Sequence, residues 1–131
     1  MLKKHFYTIL FISWVVFITL LSLFSFSVLE TKNRIEILYF DKIVHFIFYT
    51  VFVVLGSLFL KEKKKESFQL NISIFFTLCT AIVYGLIIEI LQYLLPFDRT
   101  AEILDVLANT IGAIFGGLLI KKYLSLDRKI K

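Results

Sequence analysis

Four long apolar runs decide what this chain can fold into: Phe6 to Leu29, Asp41 to Leu60, Leu70 to Leu95 and Ala101 to Ile120. A helix rises 1.5 Å per residue, so about 20 residues cross the roughly 30 Å hydrocarbon core of a bilayer. Each run meets that requirement. The hydrophobic fraction of 59% and mean hydropathy of +0.86 exceed what a soluble core can hide, since soluble domains are roughly 45–50% apolar. The predicted fold class is therefore all-α, one integral membrane domain over residues 1–131 built as a bundle of about four transmembrane helices, at about 6–29, 41–60, 70–95 and 101–120.

The run ends carry their own signals. A signal peptide is the rival for the first run, because Ser25-Phe26-Ser27 imitates a cleavage site. Signal peptides, however, have apolar stretches of about 7–15 residues, and this run is longer, so it reads as a retained helix. The third run stops at the single proline, Pro96. The fourth becomes uninterrupted only after Asp105, so its start is expected to tilt or to sit in a protein-lined pocket. The tail after Tyr123 is short and charged and is expected to fray.

The formal net charge is +5, but the cations flank apolar runs rather than interleaving with aromatics as in single-strand nucleic-acid binders. They therefore report topology and contact with anionic lipid, not nucleic acid. With the N-terminus inside, Lys3, Lys4, the Lys61–Lys65 connector, Lys121, Lys122 and the basic tail share one side. Only Lys32, Arg34, Lys42 and Arg99 fall on the other. The positive-inside rule then predicts both termini in the cytoplasm. The acids Glu30, Glu36, Asp41, Glu89, Asp98, Glu102 and Asp105 sort to the external side. The lone Cys79 excludes an internal disulfide and reads as an inert buried thiol.

Three helices carry stripes spaced by threes and fours, which keeps each stripe on one helical face. They are Asp41, His45, Tyr49, Phe52 and Gly56 on the second; Ala81, Gly85, Glu89 and Gln92 on the third; and Glu102, Asp105, Asn109, Gly112 and Gly116 on the fourth. In each the external end is polar and the inner half is small. Gly56, Gly85, Gly112 and Gly116 are helix-packing candidates, the last two in a GxxxG spacing. A charge at a helix centre costs about 2.5–3.5 kcal/mol. Glu89 lies about 10 Å in from Pro96 at 1.5 Å per residue, so it should face His45, Arg99, Asn109 or water, or hold a proton. Each polar residue also has a plainer explanation. Asp41 can cap the second helix, and Glu102 suits the positive end of the fourth. Asn109 and Gln92 can bridge helices, Arg99 can anchor at the interface, and His45 can be a hydrogen-bonded packing residue. Convergence of three faces at one depth favours a shared site.

The stretch Glu89-x-x-Gln92-x-x-x-Pro96-x-x-Arg99, followed by Asp105-x-x-x-Asn109-x-x-Gly112-x-x-x-Gly116, resembles the signature of the VanZ-like family. The upstream Asp41-Lys42-x-x-His45-Phe46-x-x-Tyr49 is similar to that family's earlier motif, so the resemblance runs from about Asp41 to Gly117. Asp98 departs from it, where a small residue is more typical. The resemblance implies a multi-pass protein of the bacterial plasma membrane. The family's namesake is associated with low-level resistance to the glycopeptide teicoplanin. It supplies no catalytic residue set.

Two functions compete. In the first, an external polar pocket binds a membrane amphiphile, a glycopeptide or a cell-envelope precursor, using Asp41, His45, Glu89, Gln92, Arg99, Glu102, Asp105 and Asn109. In the second, the protein is a membrane enzyme acting on an envelope lipid or lipid-linked precursor. His45, Glu89 and Asp105 would then be the catalytic candidates, with Arg99 as an anion clamp. No nucleophile motif or phosphate loop is present. Membrane lipids are the expected partners. Oligomerisation would be needed for transport, because four helices leave little room for a pathway. No cofactor is implied. A metal set of His45, Glu89 and Asp105 is ligand-poor, and none is assigned.

Overall fold

The computed structural model describes residues 5–23, 34–64, 69–95 and 102–130, with 34–38 and 128–130 in backbone only. It contains α1 (Phe6–Leu23), α2 (Arg34–Lys64), α3 (Leu70–Leu94) and α4 (Ile103–Ile130), and no strand among the described residues. All four are long and apolar enough to cross a membrane. In hydrocarbon no water satisfies the backbone, so β-branched and aromatic runs that would suit strands in water form helices here. The surface fits a lipid solvent. Phe75, Phe76, Ile103 and Leu118 point outward, while Ser57, Ser73, Thr77 and Asn109 are buried inside.

Two helices outrun their apolar segments. α2 begins at Arg34 rather than Asp41 and ends at Lys64 rather than Leu60; α4 begins at Ile103 and continues past Ile120 to Ile130. The frayed tail expected after Tyr123 is thus helical. Leu124 is buried with Ile74 and Ile120, and Lys61 Nζ reaches Asp127 Oδ2 at 3.3 Å. Hydropathy marks only the part of a helix that lipid covers. The last residues of the first run, 24–29, lie outside the described residues, as do 96–101.

The helices alternate in direction. The start of α1 meets the end of α2, where the Glu62 carboxylate accepts hydrogen bonds from the backbone N–H of Tyr7 (3.2 Å) and Thr8 (2.9 Å) and from the Thr8 hydroxyl (2.6 Å). A carboxylate there satisfies orphan donors and complements the positive helix end. α2 and α4 form the most intimate pair. A Cβ at Gly112 would collide with the Phe46 carbonyl, and one at Gly116 would lie 2.5 Å from the Thr50 carbonyl oxygen. Thr50 Oγ1 uses that proximity to reach the Gly112 carbonyl at 3.0 Å. The core around Ile18, Tyr49, Phe52, Val53, Ala81 and Ala113 joins all four helices. α1 is further tied by Trp14 Nε1 donating to the Phe48 carbonyl and by the Thr19–Tyr84 hydroxyl pair at 2.6 Å.

Candidate functional site

Where α2 and α4 enter their apolar segments and α3 leaves its own, the buried side chains change from apolar to charged. On α2, Asp41 and His45 share a face at i,i+4, and Lys42 joins them three residues before His45. On α4, Glu102 occupies the N-cap position, Asp105 the first turn and Asn109 the next. α3 contributes Glu89 and Gln92 from its last two turns. His45, Glu89, Gln92, Asp105 and Asn109 are all at least 95% buried, so these polar groups are held by protein rather than by water.

Lys42 is the centre of the cluster. Its ammonium donates to Glu102 Oε2 at 2.6 Å and to Asp105 Oδ1, and lies 4.0 Å from Asp41 Oδ2. Its four-carbon stem crosses from α2 to α4, so one cation bridges the two helices that the glycines bring together. Beside it, His45 Nδ1 lies 2.9 Å from Asn109 Oδ1. With the carbonyl oxygen there, Nδ1–H is the donor and the imidazole orientation is fixed. His45 Nε2 faces Asp41 Oδ1 at 3.8 Å and Asp105 Oδ2 at 3.9 Å. Each aspartate therefore turns one oxygen toward Lys42 and the other toward the imidazole.

Glu89 plays a different part. Its Oε2 accepts from the Glu102 backbone N–H at 3.3 Å, so α3 caps α4. An N-terminal amide and a helix dipole are suitable company for a buried carboxylate. Gln92 turns away from the ions, donating from Nε2 to the Ser22 carbonyl of α1 at 2.7 Å. It fastens α1 to the charged end.

Of the residues singled out in the sequence, Asp41, Asp105 and Asn109 meet at His45, and Glu102 joins them through Lys42. Glu89 joins through the Glu102 backbone, and Gln92 packs beside them without touching an ion. Arg99 lies outside the described residues. Lys42 stands in the sequence as a topology charge and as part of the Asp41-Lys42-x-x-His45 motif, not as a site residue; its spacing of three to His45 is the signal for that role. Among the described residues the ionic cluster contains no hydroxyl or thiol in nucleophile geometry. It can hold a cation, exchange a proton at His45 Nε2, or present carboxylates to an amine. A small apolar cleft lined by Phe11, Phe52, Gly56, Phe59, Phe76 and Thr77 lies toward the opposite end.

The sequence model of the VanZ/LLP1 family matches residues 3–125. No curated protein and no solved structure matches the chain.

Proposed function

The chain belongs to the VanZ-like family, and on that premise we propose that it is a non-catalytic, envelope-modulating protein of the bacterial plasma membrane. Both termini are cytoplasmic in this reading, and the charged end of the bundle faces outward. There it binds the polar part of an amphiphile, either an envelope precursor or a glycopeptide of the teicoplanin type, whose apolar part lies along the lipid-facing helices. The observation that carries the proposal is the ionic cluster of buried His45 and Asp105 with half-buried Asp41, Lys42 and Glu102 in an otherwise apolar bundle. Placing charged groups at this depth, two of them buried, is costly, and a simple bundle would be as stable with apolar residues in their place.

One observation favours a second reading, a membrane enzyme acting on an envelope lipid. Asn109 fixes Nδ1 of His45 and leaves Nε2 beside two carboxylates, an arrangement suited to general acid–base work. Single replacement of His45, Glu89, Arg99 and Asp105, at confirmed membrane levels, separates the two. Altered glycopeptide susceptibility with an unchanged envelope-lipid profile supports binding. Loss of one lipid product in every variant supports the enzyme. Wild-type behaviour of all four at normal levels overturns both.

A further inference from the structure

We propose that Asp41, His45 and Asp105 form a binding site for one divalent transition-metal ion, with Zn²⁺ the best-suited member of that class. The three donor atoms all lie within 4.8 Å of one another. His45 Nε2 stands 3.8 Å from Asp41 Oδ1 and 3.9 Å from Asp105 Oδ2. Those separations exceed a hydrogen bond, which needs about 2.7–3.2 Å. They match the spacing of donors that share one ion, since ligands about 2.0–2.2 Å from zinc stand roughly 3–4 Å apart. The imidazole is 98% buried by its 2% exposure, and Nε2 makes no hydrogen bond among the described residues. It is aimed at the point where the two carboxylates converge.

A second, independent feature is the state of the ring. Ligating histidines almost always donate their other N–H to an oxygen that fixes tautomer and orientation. Asn109 Oδ1 does this at 2.9 Å, which aims Nε2 into the corner. When Nε2 carries no proton its lone pair faces two carboxylate oxygens, and a cation between the three relieves that repulsion. Lys42 does not fill that place. Its ammonium occupies Asp105 Oδ1 and Glu102 Oε2 and approaches Asp41 through Oδ2, so the two oxygens of each aspartate are divided between lysine and corner. One nitrogen and two oxygen donors favour zinc or manganese over calcium or magnesium, which prefer oxygen alone. Three protein ligands leave a coordination position open to water or to an acidic group of a bound molecule. The metal set differs from the one considered in the sequence, because Glu89 is turned to the α4 backbone and Asp41 takes its place.

The test uses the full chain in detergent, in a Cys79→Ser background so that the thiol cannot bind metal, stripped with chelator and titrated with Zn²⁺ by calorimetry. About one ion per chain is expected. Asp41→Asn, His45→Gln and Asp105→Asn should each weaken binding by at least about 100-fold. Asn109→Ala, which frees the ring, should weaken it by about 10–100-fold. Glu62→Gln, at the other end of the bundle, should bind as wild type. Should the ligand variants misfold, wild-type protein loaded with Co²⁺ must show visible absorption bands of nitrogen–oxygen ligation, and Zn²⁺ must raise its melting temperature. Absence of stoichiometric binding, or binding that survives Asp41→Asn and His45→Gln undiminished, overturns the site. The inference stands apart from the amphiphile reading. A chain that binds zinc while its ligand variants leave cells unaltered keeps the site and loses that function.

Discussion

Replacing Gly112 by alanine adds one methyl group where α4 touches the backbone of α2. That Cβ would collide with the Phe46 carbonyl oxygen and lie 2.9 Å from both the carbonyl carbon and the Cα of Phe46. None of these atoms belongs to a flexible side chain, so the helices must part. Overpacking costs about 1–3 kcal/mol, and a rigid backbone contact belongs at the upper end. Alanine returns about 1 kcal/mol in helix propensity, which leaves a net loss of about 2 kcal/mol. Gly117→Ala is the internal control. Its Cβ would meet only Ile74 Cγ2 at 3.3 Å and Leu78 Cδ1 at 3.7 Å, both side-chain ends that can yield. There the propensity gain wins, and stability rises by about 0.5 kcal/mol. At roughly 3–5 °C per kcal/mol for a chain of this size, Gly112→Ala should melt about 6–10 °C below wild type and Gly117→Ala about 2 °C above it. Far-UV circular dichroism of purified protein in detergent reads both. Equal melting of the two variants, or a Gly112→Ala that gains stability, refutes the close approach of α2 and α4 and with it the placement of Lys42 against Asp105.

Three other outcomes follow from the same contacts. Lys42→Met leaves the 4%-exposed Asp105 carboxylate without its ammonium and should cost roughly 3 kcal/mol; adding Asp105→Asn should recover more than half, and strict additivity in melting experiments would mean the pair is not formed. Glu89→Ala removes the α4 cap at a cost of about 1 kcal/mol, so amide exchange in the first turn of α4 should quicken about fivefold, whereas Glu89→Gln, which keeps an acceptor, should change it little. In a Cys79→Ser background, Lys64→Cys should react with a membrane-impermeant thiol reagent only from the cytoplasmic side, and Tyr93→Cys, 79% exposed near the charged end, only from outside; external labelling of Lys64→Cys inverts the orientation.

Much of this architecture is legible in the sequence because lipid simplifies the problem. Apolar runs must be helices, and residues spaced by threes and fours must share a face. Hence Tyr49, Ala81, Gly85, Asn109 and Gly112, picked out by spacing alone, are all buried between helices. The limits have physical causes too. Hydropathy cannot show that α2 continues back to Arg34, since a helix beyond the bilayer needs no apolar face. A lysine beside a helix start looks the same whether it faces headgroups or reaches across to a neighbour. Lys42 does the second only because Gly112 and Gly116 set the helices close enough for its stem to span. Gln92 illustrates a third limit. Its partner is the backbone carbonyl of Ser22, and every residue carries one, so no pattern of residue types could point to it.

The central claim is that the ionic cluster exists for function and not merely to hold the helices together. Comparing His45→Gln with Ile120→Ala tests this most directly, because the second opens a cavity in the core at the opposite end of the bundle without touching a charge or the α2–α4 glycine contacts. Both variants are expressed to equal membrane levels in cells lacking the native protein, and glycopeptide susceptibility is measured beside the deletion strain. The account predicts that His45→Gln behaves as the deletion while Ile120→Ala behaves as wild type. If His45→Gln restores the wild-type phenotype, or if both variants fail alike, the cluster is structural and the account is contradicted.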